Sequence, residues 1–290
     1  MIVITLAIML QRYLSSRIGN LEPTAVNRVL QEIRQVEERG KSVISLMRGQ
    51  PDTPTPSPIV EAAIASLRQG RTGYPDNRGE LHLRQAVADK LARDNGLSYD
   101  PINEILITDG ATFGICAALG ALVGRGMDVL LPDPIYDAYS SPIALWEGRP
   151  IHVPAIIQAG RFTITRAALE KHLTPQTRVL LLNSPWNPVG TVLAQKELQE
   201  IMDFAIQRDL MVLSDEIYEN LIYDGRQHVS PASLSIEARN RIVVVNSLSK
   251  TYAMTGWRVG YCAGPAAIIQ AMFLILQQSS RGPATFVQDA

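Results

Sequence analysis

Two rhythms of apolar and polar positions run through the chain. Short, predominantly apolar runs at 105–108, 128–131, 150–153, 178–182, 210–213 and 242–245 read as strands, and the unbroken β-branched run at 242–245 suits one buried on both faces of a sheet. Between them, 111–123, 136–146 and 195–208 carry helical spacing. Strands alternating with helices of this length predict an α/β fold, a mostly parallel sheet flanked by helices.

Upstream, Val26, Val29, Leu30, Ile33 and Val36 form a helical stripe over 25–39 that Gly40 ends. Residues 41–47 read as a short strand. The proline-dense stretch 48–56, RGQPDTPTP, cannot be regular structure. It divides an N-terminal arm with part of a small domain (1–49) from a large domain (50–290). A helix is expected over 58–67, with Ser57 as N-cap and Pro58 in its first position. A loop over 73–79 leads to an amphipathic helix over 80–95, closed by Gly96.

Composition narrows the class. A formal net charge of -1 over 290 residues offers no basic surface for nucleic acid or anionic membrane. The apolar run at 2–10 is shorter than the roughly 20 residues a membrane span needs, and it lacks a basic leader. A cytoplasmic location is therefore expected. Cys116 and Cys262 lie in apolar runs and read as core residues of a reducing compartment. His82, His152, His172 and His228 show no metal-ligand spacing, so no metal is expected.

The chemistry gathers where strands end. After 242–245 the chain turns polar at once, NSLSK, placing Ser247, Ser249 and Lys250 at the mouth of an open sheet; Arg258 follows eight residues later. Two hydroxyls, an arginine and a lysine suit a group with a phosphate to anchor and an aldehyde for an amine to capture. Pyridoxal phosphate (PLP) is such a group. After 105–108, Gly110, Ala111 and Thr112 begin a helix whose open N–H groups and dipole favour an anion. After 178–182 comes NSPWNPVG, whose prolines fix a loop carrying Asn187, an amide able to donate to a phenolate or carboxylate. After 210–213 comes SDEIY: Asp215, costly to bury unless paired, would meet a protonated pyridine nitrogen, and Tyr218 would reach the ring's phenolate oxygen. In a parallel sheet these ends converge on one side.

With these pieces assembled, the chain resembles class I/II PLP-dependent aminotransferases of the aspartate aminotransferase-like type. The most specific segments are SLSKTYAMTGWRVGY, NSPWNPVG, LSDEIYENLIYDG and GQPDTPTP followed by GYPDNRGELHLRQAV. The resemblance implies that Lys250 forms a Schiff base with the cofactor and shuttles the proton. It implies that Asp215 pairs with the pyridine nitrogen, and that Tyr218 and Asn187 contact the phenolate oxygen. Ser247, Ser249 and Arg258, with Gly110, Ala111 and Thr112, would hold the phosphate. Tyr136 would stack on the ring, Gly49 would lie near the substrate carboxylate, and Tyr74 would reach the phosphate of a neighbouring subunit in a homodimer. The substrates implied are an amino acid and a 2-oxo acid.

Two departures stand out. Val189 occupies a position where the family often has threonine. More important, family members continue beyond the equivalent of Ala290 into a C-terminal small domain with the arginine that clamps the substrate carboxylate; Arg281 is too near Lys250 to replace it, so the chain reads as a fragment. The cofactor residues serve transamination and cleavage of another bond at Cα alike, so a lyase or decarboxylase, or an inactive remnant, stays open at this point. A regulator's sensor domain would carry a basic helix-turn-helix ahead of it, which the N-terminal segment does not resemble.

Overall fold

The computed structural model describes residues 13–21, 23–47 and 49–290; the apolar run at 2–10 lies outside them. Helix α1 (Ala25–Glu38) is capped by Thr24, whose side chain accepts from the Asn27 N–H. Residues 41–47 form no strand. Ile44 and Leu46 are exposed, and among the described residues no strand pairs with the segment.

Helix α2 (Ser57–Arg68) follows, with Pro56 rather than Ser57 at its N-cap and Ser57 already helical. Helix α3 (Leu81–Asn95) ends at Gly96, whose left-handed backbone closes it as expected. Strand β1 (Ile105–Thr108), helix α4 (Gly110–Leu122) and strand β2 (Asp128–Asp133) come next. The helix expected over 136–146 is regular only as α5 (Ser140–Leu145), because a 3-10 turn, Asp137–Tyr139, precedes it. Strand β3 (Arg149–Pro154) leads into a small hairpin of β4 (Ile156–Gln158) and β5 (Arg161–Thr163), then helix α6 (Arg166–His172). The chain alternates again through β6 (Thr177–Asn183), α7 (Gln195–Gln207), β7 (Met211–Asp215), α8 (Ile236–Arg239) and β8 (Ile242–Ser247). The short helix α9 (Leu248–Thr251) grows directly from β8. Strand β9 (Gly260–Ala263), helix α10 (Ala266–Gln277) and helix α11 (Thr285–Gln288) complete the described fold.

Seven strands make one sheet in the order β1-β9-β8-β7-β6-β2-β3. All run parallel except β9, which pairs antiparallel with both β1 and β8. The residues from Arg258 to Ala263, RVGYCA, also read in the sequence as a strand-like run; the strand starts two residues later than that, at Gly260, and runs backwards. Its beginning, with Arg258 just ahead, lies at the same edge where the other strands end.

Alternation along the strands feeds two cores. Leu180, Leu182, Val212, Ile242 and Val244 pack on one face. Val179, Leu181, Leu213, Val243 and Val245 pack on the other, against Ala117, Ala118 and Leu119 of α4. Two buried faces explain why these strands read as continuous apolar runs. Helix α4 reaches the sheet very closely at Gly260: a Cβ there would lie 2.7 Å from the Gly110 carbonyl carbon and 2.8 Å from both the Ala111 nitrogen and the Asn246 oxygen. All three are backbone atoms, so none can rotate away. Gly260→Ala is expected to destabilise the fold by about 1–3 kcal/mol, the usual cost of overpacking a dense core; denaturant unfolding of the variant would read it, and an unchanged midpoint would mean that α4 can shift.

Candidate active site

Parallel pairing lines up the three strand ends. Asn183 at the end of β6 lies opposite Asp215 of β7, and Asp215 opposite Val245 of β8. Asp215 is buried. Its Oδ2 accepts from the Tyr139 hydroxyl at 2.7 Å and its Oδ1 from the Ile217 N–H at 3.2 Å. Burial lifts this carboxyl from its ordinary 3.8 to about 6; the bonds from Tyr139 and Ile217 work against that rise and the neighbouring Glu216 adds to it. Among the described residues no lysine, arginine or histidine forms an ion pair with it.

Asn183 organises the next loop. Its Nδ2 donates to the Asp215 carbonyl at 2.9 Å, and its Oδ1 accepts from the Asn187 N–H at 2.7 Å. The Asn187 amide in turn stands 3.5 Å from the Tyr218 hydroxyl. Burial, then the nearby Asp215, pushes the Tyr218 phenol up to about 12, so it stays protonated near neutrality. The Lys250 Nζ, on α9, stands 5.6 Å from the centre of the Tyr218 ring. It donates to the Gly49 carbonyl, which brings the connector at 49–56 over the site. Thr55 anchors that connector, donating to the Ala253 carbonyl at 2.7 Å and accepting from the Trp257 indole at 3.0 Å. Partial burial lowers the Lys250 pKa, favouring the neutral amine that a nucleophile must be.

At the other end of the site Arg258 adopts a left-handed backbone, φ +57°, as the chain turns into β9. Its guanidinium donates to the Thr255 carbonyl at 3.1 Å and the Asp109 carbonyl at 3.3 Å. This sets it against the start of α4, where Gly110 has φ +78° and a Cβ would fall 2.5 Å from Arg258 Nη2. The cradle exists because that residue has no side chain. Ala111 is buried there and Thr112 is exposed. Ser247 caps α9 and bonds to the Ser249 hydroxyl at 2.8 Å and the Val259 carbonyl at 2.8 Å. Both serines are buried at the start of α9 and bonded to each other, with the Ser247 hydroxyl also held by the Val259 carbonyl.

Tyr136 lies between the two ends, its ring edge-on to Tyr139 at 5.4 Å between centroids. Burial raises its phenol pKa, and it feels both Asp215 and Arg258. Tyr74 stands apart, 92% exposed and outside the cluster. Sequence reasoning missed Tyr139 and gave Asn183 no role. Tyr139 carried no signal, since it sat in a stretch read as regular helix. Asn183 carried one, as the last residue of a buried strand opposite an acidic strand end.

Comparison with known proteins gives the family. Residues 41–288 match the model of the aminotransferase class I and II family. The chain belongs to that family. An aromatic-amino-acid aminotransferase 2 from Thermococcus litoralis is 39% identical over 277 residues, covering 96% of this chain and 70% of that protein. An aspartate aminotransferase from Pyrococcus abyssi matches at the same identity and coverage. Among solved structures, the aspartate aminotransferase from Rhizobium meliloti has a TM-score of 0.91 at 34% identity, covering 95% of this chain and 69% of that one.

This aminotransferase uses PLP, and the donor set fits that cofactor. A guanidinium and open helix N–H groups suit its phosphate, and a buried carboxylate without a cation suits its ring nitrogen. The shift at Asp215 has a measurable consequence before any cofactor binds. A carboxyl raised in the folded state binds its proton more tightly there than when unfolded, so stability falls as pH rises from about 4 to about 6, by on the order of 3 kcal/mol. Asp215→Asn should abolish that fall. Unfolding midpoints of the cofactor-free protein at several pH values test this; equal slopes in both proteins would show that Asp215 is not buried as described.

Proposed function

We propose that Lys250, Asp215, Tyr218, Asn187, Ser249, Arg258 and the start of α4 form the PLP site of this aminotransferase. We further propose that it moves an amino group from an acidic or aromatic amino acid to a 2-oxo acid. The single observation that carries the site is the meeting, at one sheet edge, of a partly desolvated amine, a buried uncompensated carboxylate and an arginine laid on a helix N-terminus. The substrate class rests on relatives that are named aromatic-amino-acid and aspartate aminotransferases.

When bound, PLP supplies a carbonyl for the substrate amine and an electron-withdrawing ring. Everything else falls to the chain. Arg258, Ser249 and the N–H groups of Ala111 and Thr112 hold the phosphate, with Ser247 keeping that backbone in place. Asp215 keeps the ring nitrogen protonated, and Tyr139 steadies Asp215 from behind. Tyr218 and Asn187 donate to the phenolate oxygen, while Tyr136 packs on the ring face. Lys250 Nζ, held by the Gly49 carbonyl and eased toward its neutral form, takes up and returns the proton at the substrate's Cα. Gly49 brings its loop close enough to meet the substrate carboxylate.

Residues 50–290 form the cofactor-binding unit in this reading, and 1–49 belong to a smaller one. The exposure of Tyr74 supports its use by a second copy of the chain, in a homodimer with shared sites. Two free cysteines, and the lack among the described residues of any helix long and apolar enough to cross a membrane, support a cytoplasmic location.

Two substitutions separate the roles. Lys250→Ala should remove both turnover and the absorbance of covalently bound PLP, leaving the phosphate site intact. Arg258→Lys keeps a charge but loses the planar fork; PLP should bind about 10- to 100-fold more weakly, in line with roughly 1.5–3 kcal/mol for a hydrogen bond to a charged group. Normal turnover in the first variant, or normal affinity in the second, would refute the corresponding assignment.

A further inference from the structure

Behind the site lies a buried polar network that the roles above do not use. Glu216, Glu219 and His228 bring ligand-type atoms within 4.8 Å of one another. Their oxygens are already taken. Glu216 accepts from Ser214, Ser230 and His228 at 2.8, 2.9 and 2.8 Å. Glu219 accepts from the Lys90 ammonium, from Asn95 at 3.0 Å and from Asn246 at 2.7 Å. With an ammonium seated on Glu219, the cluster is built as a hydrogen-bond hub rather than a cation site.

What the hub joins is informative. Asn246 lies at the end of β8, and its Oδ1 accepts from the Ser247 N–H at 2.7 Å. On the far side of Lys250, the Asn220 amide donates to the Thr251 hydroxyl at 3.1 Å. The residues directly after Tyr218 are thus bonded to Asn246 ahead of Lys250 and to Thr251 behind it. Glu216 N–H, at the start of the same turn, donates to the Val245 carbonyl at 2.9 Å. Lys90 and Asn95 tie this clamp to α3, a full helix that cannot follow a local motion of the turn.

We infer that Glu219, Asn246 and Asn220 are positioning residues that fix the Lys250 amine relative to the Tyr218 ring. Their bonds run to Ser247, Thr251, Lys90, Asn95 and one another, and none of them belongs to the set proposed to hold the cofactor. The inference rests on the proposed roles of Lys250 and Tyr218. Such a clamp should govern how readily the amine attacks rather than how tightly the phosphate and ring are held.

The test uses the whole chain and two ligands. Pyridoxine 5′-phosphate, which has no aldehyde, reports binding alone. PLP itself reports capture, in which Lys250 Nζ adds to the aldehyde carbon, a C=N bond forms and water leaves; stopped-flow absorbance follows the rate. Asn246→Ala should slow capture by about 10- to 100-fold, the scale expected when a reacting group is misplaced by about 1 Å. Asn220→Ala, at an exposed position where folding is not at stake, should slow it by a smaller factor. Pyridoxine 5′-phosphate affinity should not change in either. Should Asn246→Ala fail to fold, the double variant Lys90→Met, Glu219→Met replaces it, removing the hub carboxylate without stranding the ammonium. Wild-type capture rates in these variants would overturn the proposal whatever their melting temperatures, and so would affinity and rate falling in parallel. A wild-type chain that captures no PLP would instead refute the site itself, and the clamp with it.

Discussion

Backbone pairing across β6, β7 and β8 is the constraint on which the site depends. The register sets Asn183 beside Asp215 and Asp215 beside Val245, so the loops that follow leave the sheet side by side. None of the side chains proposed for the site is brought in by a long excursion. Each stands within a few residues of a strand whose position is fixed on both faces by a dense core. The antiparallel β9 serves the same end by a different route. Because it runs against its neighbours, the arginine that precedes it arrives at the edge where they finish.

Electrostatics divides this edge into two ends. At one, Arg258 lies against the first residues of α4 and, among the described residues, forms no ion pair. At the other, Asp215 is buried with only neutral donors from Tyr139 and Ile217. Burying the second of these is costly by itself, a carboxylate held far from water without a cation. Together they describe a ligand with an anionic tail and a cationic ring, which is what an aminotransferase binds. Lys250, between them, has no carboxylate partner among the described residues and donates to a backbone carbonyl instead. A salt bridge there would have held the amine protonated and unreactive.

Much of this was legible in the sequence. The apolar runs fixed the number and kind of the central strands, and the polar residues that break those runs, at Asn183, Asp215 and Ser247, marked the edge. Their order along the chain carried the family resemblance. The misreadings have local causes. Residues 41–47 are rich in apolar and β-branched side chains, yet among the described residues no strand pairs with them, and a strand needs a partner. At 136–146, apolar content suggested one helix where the backbone forms a 3-10 turn before α5. Arg258 was read as part of a strand although its backbone is left-handed, a state its side chain gives no reason to expect.

The sequence by itself determined which residue types stand at the strand ends, because burial on two faces demands continuous apolar runs and any polar residue must wait for the edge. Only the tertiary structure decided which of those residues meet. That Tyr139 donates to Asp215, that the Ser247 hydroxyl is held by the Val259 carbonyl, and that Glu219 and Asn220 bracket Lys250 all depend on contacts between segments well separated in the chain. Local propensity is set by neighbours along the backbone and cannot encode such contacts; they are fixed only when the packed sheet brings the segments together.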